Sequence, residues 1–567
     1  MANTFSALFG SGNCEVWERN PWLHAIILIP VAWFAFFHNL GVSLFEGSEG
    51  LYAHITHEMV ARQDYVHLTY VGEAYANKSP FFFWILALST ALFGENEIAL
   101  RLPGALFCVG TMALTYGLGV MLFSSTAGFW AALVVASTHV FLWYGRRVLF
   151  DSMLAFFITL ALLLWVLAYF RSDGRRWYAL CFIPMALATI TKGLHGLALP
   201  LLVIVSFLIV VRDVEPLKSR SFWIGLLSAL FIVAAYAFAV DLDWGGHTLL
   251  GQSSIVSLAA PSGGHPVYWY LGVMWFDFFP WSAVLPVGLA LLLSTGAPAT
   301  RTARMFVLTW FVGFLVMFSL SPMKRESYLI PMVPALGLLV GYCWQHVRSF
   351  LSENRVALRI LASMLGVLAV AYMLAVTFGP GLLHRKWGIP GDLFPLWFTL
   401  GIAGLAFALL YAVIRLNMPA AAMALAASSV LFMVGVVHII LPAIDATNSA
   451  RDASHQIKAL AQHSADPVHL YTNGWPNNED LIYYLTVEPA LPWIPSDHSL
   501  MKTLRTERKV LFVADKSGYR DLSRREDLRV TVLQEFPQWR NKNMYLLSAR
   551  IEDGRNAETD SLNRLPK

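Results

Sequence analysis

The chain contains little charge: Lys, Arg, Asp and Glu make up 13% of its 567 residues, whereas about 25% is usual in soluble domains. Apolar residues make up 57%, and the mean hydropathy is +0.57. Cysteine is also scarce, and Cys14, Cys108, Cys181 and Cys343 are too far apart to suggest a metal site or a disulfide framework. This composition excludes a soluble enzyme and a nucleic-acid-binding protein. They predict a protein that crosses a membrane several times.

Long apolar runs dominate the chain up to about residue 445. Thirteen of them, from Leu23–Leu44 to residues 420–441, are long enough to cross a hydrocarbon core, which is about 30 Å thick. One further run, Phe81–Phe93, is too short to span and is predicted to be interfacial or re-entrant. The predicted fold is a polytopic α-helical membrane protein with about 13 transmembrane helices.

Basic loops orient the chain in the membrane. They lie at residues 171–176, 212–220, 301–304, 348–359 and 415. All fall on one side only if residues 81–93 do not cross, and the positive-inside rule makes that side the cytoplasm. Residues 45–102, the turns 146–151 and 321–328, the loops 242–271 and 379–392, and everything after Ile444 are then exoplasmic. The C-terminal domain and most polar residues between the spans are therefore predicted to lie on the exoplasmic side.

The composition becomes that of a soluble domain after about residue 446. Strand-like runs, at Val468–Tyr471, Val510–Val513, Val530–Leu533 and Met544–Leu547, alternate with charged helical stretches. The sequence therefore predicts a transmembrane domain over residues 1–445, with an exoplasmic amphipathic loop at 45–102, and a small exoplasmic α/β domain over 446–567. This second domain has no phosphate-binding glycine motif and no catalytic signature, which favours a structural or acceptor-docking role.

Two glutamates open the first exoplasmic loop. Apolar residues recur at helical spacing from Tyr52 to Met59, which predicts an amphipathic helix over residues 50–62 on the membrane surface. Glu46 and Glu49 lie at its beginning. Carboxylates there suit a catalytic base or a cation contact, and they equally suit a helix cap, because a negative charge is favourable at a helix N-terminus. The residues alone leave both interpretations open.

Six cations lie on the exoplasmic side, where such residues are normally sparse. They are Lys78, Arg146, Arg147, Lys192, Lys324 and Arg325. A single lysine at this depth is often a snorkelling anchor. A membrane-bound ligand that carries phosphate explains the whole set better than six separate anchors do. The set therefore predicts an anion site, with Asp151 beside it.

An aromatic segment follows in the longest loop between spans. His265 supplies a titratable ring next to Tyr268 and Trp269. This combination suits a sugar site or a metal site. It also suits an aromatic belt at the membrane interface, where such side chains are structural.

Several short motifs occur in a recognisable order between residues 40 and 335. They are Glu49-x-x-Tyr52-Ala with Glu58-Met, Lys78-x-Pro80 with Trp84, Phe93-Gly94-Glu95-Asn96-Glu97, Arg101-Leu-Pro103, Asp151, Lys192-Gly193, His265-x-x-x-Trp269-Tyr270, Pro280-Trp281, and Lys324 with Tyr328-Leu-Ile-Pro331. This order resembles the GT-C family of membrane glycosyltransferases. The resemblance is closest to the branch with bacterial aminoarabinose (lipid A) transferases and protein O-mannosyltransferases.

The resemblance implies an inverting glycosyltransferase that uses a polyprenyl-phosphate sugar, typically on undecaprenyl phosphate. The implied acceptor is exoplasmic, with lipid A, lipopolysaccharide or another envelope glycan preferred. The implied location is a bacterial inner membrane, with the active site and the C-terminal domain in the periplasm, and the implied state is a monomer in the bilayer. The implied roles are catalysis for Glu49, Glu46 and Asp151; donor phosphate binding for Lys78, Arg146, Arg147, Lys192, Lys324, Arg325 and Tyr328; and acceptor or sugar contact for Tyr52, His265, Tyr268 and Trp269.

Two positions depart from the family pattern. Ser48 stands where the family has an Asp in the first-loop acidic pair, so the role of base passes to Glu49 or Glu46. Asn77 replaces a Glu that, with a histidine, is thought to hold a metal in aminoarabinose transferases. No cofactor is therefore assigned, and a divalent metal with His265 as a ligand is left open.

Two other functions are also compatible with the sequence. A protein O-glycosyltransferase would use the same class of donor. A transporter or flippase for a lipid-linked anion would also need cations and an apolar groove, and it predicts ionisable residues near the bilayer midplane and internal repeats. The sequence shows no such repeats.

Overall fold

The computed structural model describes residues 18, 20–43, 47–171, 174–241, 265–294, 298–387, 394–415, 417–463, 468–471, 479–487, 491, 493–494, 497–507, 509–536 and 544–551. The chain divides into two compact units. The first consists of Met1–Leu40, Tyr75–Leu383 and Pro390–Leu441, and the second of Gly41–Ala74, His384–Ile389 and Pro442–Lys567. This division differs from the predicted one, because Gly41–Ala74 groups with the C-terminal segment.

The first unit consists of helices. They are Pro21–Phe36, Pro80–Phe93, Glu97–Leu122, Ser125–Ser137, His139–Gly145, Phe150–Phe170, Phe182–Lys192, His195–Val211, Glu215–Lys218, Arg220–Asp241, Trp269–Asp277, Leu285–Leu293, Pro298–Leu320, Val333–Glu353, Arg355–Trp387, Leu396–Ile414 and Met418–Val434. Short 3₁₀ segments occupy Gly174–Cys181, Trp281–Val284 and Glu326–Met332, and a π-helical turn occupies Gly435–Ile440.

Many of these helices have the length and composition of membrane spans. Within the described residues, eight helices qualify, or up to ten if each of two bent helix pairs counts as one span. The bent pairs are Ser125–Ser137 with His139–Gly145, and Trp269–Asp277 with Trp281–Leu293. Shorter apolar helices occur at Pro21–Phe36, Pro80–Phe93 and His195–Val211. The first unit is therefore a multi-span helical domain, whereas the count of thirteen crossings stays a prediction.

The helix Pro80–Phe93 has the predicted short length. It has 14 residues, which correspond to about 21 Å at 1.5 Å per residue. Ser79 precedes it and accepts a hydrogen bond from the Phe81 backbone N–H at 3.4 Å, and Pro80 occupies the first turn. A proline is tolerated there because its missing N–H would have no partner inside the helix.

Close helix packing in this unit relies on small residues. Gly337 and Gly341 lie one turn apart on the helix Val333–Glu353, and they face the backbone of Ala131 and Ala127. A Cβ atom on Gly337 would lie 2.6 Å from the carbonyl oxygen of Ala131. Such glycine spacing lets two membrane helices approach closely and gain van der Waals contact.

The second unit contains two sheets and several helices. A hairpin pairs β1 (Thr69–Tyr70) with β2 (Glu73–Ala74). The larger sheet has the order β4-β3-β5-β7-β6, with β3 (Val468–Tyr471), β4 (Trp493–Ile494), β5 (Lys509–Asp515), β6 (Leu528–Phe536) and β7 (Met544–Ile551). The β3 strand runs parallel to β4 and β5, while β7 is antiparallel to β5 and β6. Helices lie at Gly47–Arg62, Leu441–Asn448, Ala450–His463, Glu479–Thr486, Asp497–Glu507 and Lys516–Ser523.

The helix Gly47–Arg62 forms where the sequence predicts a helix, but its surroundings differ from the prediction. Its apolar side chains are buried, including Tyr52 and Met59. The Gly50 N–H donates to Asp480 Oδ1 at 3.0 Å, and a Cβ at Gly50 would lie 2.5 Å from the Asp480 backbone. Protein therefore covers the side that was predicted to lie on the membrane surface.

Candidate active site

A cavity of about 210 Å³ lies within the first unit. Its polar lining consists of Lys78, Asp151, Lys192, His195, Ser321 and Tyr328. Its apolar lining consists of Leu154, Leu199, Met317, Phe318, Leu320 and Pro331. A cavity with charged groups on one part of its wall and aliphatic and aromatic groups on the rest suits an amphiphile with a charged head.

An ion pair between Lys192 and Asp151 is the central polar contact of this cavity. The Lys192 Nζ lies 2.5 Å from Asp151 Oδ1, and both side chains are largely buried. Asp151 is in the first turn of the helix Phe150–Phe170, and Lys192 is in the last turn of Phe182–Lys192. Each charge therefore opposes the partial charge of its own helix end, which is favourable. The Lys192 Nζ also lies 4.7 Å from the centre of the Tyr328 ring.

Two glycines shape the turn that follows Lys192. Gly193 ends the helix with φ = 74°, a left-handed conformation that favours glycine, and its N–H donates to the Thr189 carbonyl at 2.7 Å. Gly196 lies against the backbone of Ala188 and Thr189, where no Cβ atom fits. This tight return brings Lys192 and His195 to the same cavity.

Lys78 adds a second cation to the cavity wall. Its Nζ lies 5.9 Å from the centre of the Phe150 ring, and the next residue, Ser79, shares a 2.5 Å hydrogen bond with the Tyr236 hydroxyl. Burial, followed by the charges of Lys192 and Arg325, lowers the pKa of Lys78 to about 8. An anion placed between these cations would relieve their mutual repulsion.

Two tyrosines hold the turn that closes the cavity on another side. The Tyr270 hydroxyl donates to the Arg325 carbonyl at 3.0 Å and accepts from the Arg325 N–H at 3.1 Å. The Tyr144 hydroxyl donates to Glu326 Oε2 at 2.6 Å. Lys324 donates to the carbonyl of Ser321, a residue of the cavity wall, at 2.6 Å. These hydrogen bonds position the turn through the backbone of Arg325 and the side chain of Glu326. The Arg325 side chain itself is exposed.

The two neighbouring arginines do not line this cavity. Arg146 donates to the backbone carbonyl of His38. The Arg147 guanidinium lies 4.4 Å from the centre of the Trp143 ring and 5.5 Å from that of Tyr144. Both arginines are buried, and their contact with a donor phosphate stays a prediction.

The predicted carboxylates of the first loop lie elsewhere. Glu46 is outside the described residues. Glu49 and Tyr52 belong to the second unit, and Glu49 is fully buried in the first turn of its helix. Asp151 is thus the one predicted catalytic residue among the described cavity-lining residues.

The predicted sugar-binding segment is more exposed. The His265 ring stacks on Trp269, with ring centres 4.7 Å apart, and Tyr268 is exposed. None of the three lines the cavity. In the described part of the chain, no group of three or more His, Cys, Asp or Glu side chains is placed to hold a metal ion.

Three residues that contribute to this site, His195, Phe150 and Tyr270, were assigned no separate role from the sequence. His195 is separated from Lys192 by one tight turn, and its spacing from that lysine is the signal that points to it. Phe150 and Tyr270 support Lys78 and Arg325, respectively. They are ordinary aromatic residues in apolar segments, so only their spatial placement reveals these roles.

Comparison with known proteins bears on the fold of this chain. Residues 77–238 match the family described as dolichyl-phosphate-mannose-protein mannosyltransferase. The crystal structure of ArnT from Cupriavidus metallidurans bound to undecaprenyl phosphate has a TM-score of 0.71 over 93% of this chain and 98% of that chain, at 20% identity. The predicted resemblance to GT-C glycosyltransferases is confirmed. At this identity the likeness establishes a shared fold.

Two relatives show the extent of the sequence similarity. An uncharacterized protein of Aquifex aeolicus is 28% identical over 56% of this chain and 62% of its own length. The undecaprenyl phosphate-alpha-4-amino-4-deoxy-L-arabinose arabinosyl transferase of Photorhabdus laumondii is 26% identical over 65% of this chain and 68% of its own length. The matched part therefore spans about two thirds of each of these two relatives.

Proposed function

We propose that this GT-C chain is a glycosyltransferase that takes a sugar from a polyprenyl-phosphate donor, with undecaprenyl phosphate as the carrier, and transfers it to an exoplasmic acceptor. The observation that carries this proposal is the cavity in which Lys78 and Lys192 meet an apolar wall. Phosphate is attracted by the two ammonium groups, and the first isoprene units suit the apolar lining. Undecaprenyl phosphate is part of the name of the Photorhabdus laumondii transferase, and it is the molecule bound in the ArnT crystal structure.

The cations also have a chemical task in this proposal. During transfer the bond between the anomeric carbon and the phosphate oxygen breaks, and negative charge develops on the departing phosphate. Lys78 and Lys192 stabilise that charge, because they are fixed before the reaction begins. Asp151 holds Lys192 in place. Lys324 and Arg325, together with Arg146, Arg147 and Tyr328, complete the proposed donor set.

The nucleophile determines whether a base is needed. If the acceptor is a neutral hydroxyl, its oxygen bonds to the anomeric carbon and its proton passes to a carboxylate. An acceptor phosphate is already anionic and needs only placement. We assign the base to Glu49, with Glu46 as its substitute, and a sugar or acceptor contact to Tyr52, His265, Tyr268 and Trp269. Divalent-metal assistance is not part of this assignment.

The proposed setting is the inner membrane of a bacterium. Thirteen crossings result if each bent pair is one span and the short helices Pro21–Phe36, Phe182–Lys192 and His195–Val211 also cross, while Pro80–Phe93 does not. The N-terminus is then cytoplasmic, whereas the C-terminal α/β segment and the cavity face the periplasm. The protein acts as a monomer.

The proposed acceptor is lipid A, lipopolysaccharide or another envelope glycan. A protein acceptor is the second candidate, because the family model that matches residues 77–238 is that of a protein mannosyltransferase. Mass spectrometry of envelope glycolipids and glycoproteins, with and without the protein, separates the two. We expect one sugar to disappear from a glycolipid. Loss of the sugar from proteins alone would favour the second candidate, and no change in either would contradict the proposed function.

Donor use is expected to weaken as the pH rises through about 8. Lys78 binds phosphate only while protonated, and its pKa is lowered to about 8. The donor KM is expected to rise by about 30-fold between pH 7 and pH 9.5, as the protonated fraction of Lys78 falls, in a reconstituted transfer assay. Lys78→Arg keeps its charge over this range and is expected to remove the rise. An unchanged KM in the wild-type protein would contradict this role of Lys78.

A further inference from the structure

Two histidines meet where the first and the last apolar helices of the first unit end. His38 lies in the turn that follows Pro21–Phe36, and His438 lies in the π-helical turn Gly435–Ile440. The His38 Nε2 and the His438 Nδ1 are 2.9 Å apart. Two neutral imidazoles at this distance share one proton, because one nitrogen must donate it and the other must accept it.

We propose that His38 and His438 form a binding site for a divalent cation of the zinc and copper class, separate from the donor cavity. Such cations prefer imidazole nitrogen and bind it at about 2.0–2.1 Å. Two nitrogens of a tetrahedral site are then about 3.3 Å apart. The pair therefore needs to open by about 0.4 Å for a metal ion to replace the shared proton.

The backbone on both sides of the pair is fixed. The Asn39 side-chain amide donates to the Val437 carbonyl at 3.0 Å, and Asn39 itself adopts φ = 55°. Arg146 donates to the His38 carbonyl. The two ring-bearing segments are therefore cross-linked beside the rings, which lowers the entropy lost when a metal ion binds.

The rings themselves are also placed for coordination. Phe34 stacks on the His38 ring at 4.6 Å between centres and lies 6.4 Å from that of His438. His438 is exposed, which leaves room for further ligands beside the two imidazoles. The π-helical turn itself is rare, and such turns occur frequently at functional sites.

The charge of Arg146 and the type of ligand both affect which cation binds here. The positive charge of Arg146 repels a metal cation, although this guanidinium donates to a backbone carbonyl. Imidazole ligands without a carboxylate favour Zn²⁺, Cu²⁺ and Ni²⁺ over Mg²⁺ and Ca²⁺.

A metal ion bound to this histidine pair would affect the stability of the folded protein. His38 lies shortly before the boundary of the compact units at Leu40, and His438 lies shortly before the boundary at Leu441. A bound cation would join the two segments that lead into the second unit. The site would thereby stabilise the folded protein, because the metal binds only where both rings are in place.

The test uses the full-length protein in detergent, freed of any polyhistidine tag. One equivalent of Cu²⁺ is expected to give an electron paramagnetic resonance spectrum with splitting from two imidazole nitrogens. Zn²⁺ is expected to raise the Tm, whereas Mg²⁺ is not. His438→Gln and His38→Gln are each expected to weaken Zn²⁺ binding by at least about tenfold in calorimetry.

The matched control is His463→Gln, which removes a single exposed histidine from the helix Ala450–His463. It is expected to bind Zn²⁺ as the wild-type protein does. Equal Zn²⁺ affinity in the two pair variants and the wild type would overturn the proposal. Should a pair variant fail to fold, the wild-type spectrum decides, since fewer than two coordinated nitrogens would also overturn it. None of these readouts depends on sugar transfer.

Discussion

Lys192→Met is expected to lower kcat/KM for the polyprenyl-phosphate-sugar donor by at least about 100-fold. A charge-assisted hydrogen bond to phosphate contributes about 1.5–3 kcal/mol. The Asp151 carboxylate, deprived of the partner that now lies 2.5 Å away, would in addition repel the donor phosphate. The measurement is the initial rate of transfer at subsaturating donor in proteoliposomes.

The same substitution also tests whether Lys192 only supports Asp151. Removing one partner of a buried ion pair costs about 3–5 kcal/mol of stability, so Lys192→Met alone is expected to lower the Tm. The double variant Lys192→Met with Asp151→Asn removes the unpaired charge and is expected to recover most of that stability while its donor kcat/KM stays low. Full recovery of kcat/KM in the double variant would show that Lys192 does not contact the donor.

Glu49→Gln is expected to lower kcat by at least about 100-fold while the protein folds normally. Glutamine retains the shape of the buried side chain and removes its ability to accept the acceptor proton, a contribution of about 10²–10⁴ in rate. If Glu49 only caps its helix, the variant would lose at most about 1 kcal/mol of stability and keep its rate. Single-turnover transfer at saturating donor, together with the Tm, separates these results.

Glu97→Gln is the matched control for that experiment. Glu97 is also buried and also lies in the first turn of its helix, Glu97–Leu122. Its replacement is expected to change kcat by no more than about twofold, because Glu97 does not line the cavity and has no assigned role in the transfer. A fully active Glu49→Gln protein would move the assignment to Glu46.

Those features of the fold that depend on local pattern could be predicted from the sequence. The apolar runs gave the multi-span character, and the runs at Val468–Tyr471 and Met544–Leu547 overlap strands of the larger sheet. Lys78, Asp151, Lys192 and Tyr328 meet in one cavity. Each of them is at or near an end of a helix or 3₁₀ segment, on the side that the basic loops avoid, so their proximity follows from topology.

Features that depend on distant contacts could not be predicted in this way. The periodicity from Tyr52 to Met59 is the same whether lipid or protein covers the apolar side. The hydrogen bond that reveals the protein neighbour joins Gly50 to Asp480, 430 residues away. Similarly, the charge of Arg146 suggested a ligand, but the carbonyl of His38 that it contacts carries no sequence signal.

Binding of undecaprenyl phosphate to the purified protein tests the central proposal most directly. Native mass spectrometry with calorimetry is expected to show one bound molecule per wild-type chain. A variant that combines Lys78→Ala, Lys192→Met and Asp151→Asn is expected to bind at least about 100-fold more weakly. Lys218→Ala, which removes an exposed lysine paired with Glu215, is expected to bind normally. Wild-type affinity in the cavity variant would contradict the assignment of the cavity as the donor site.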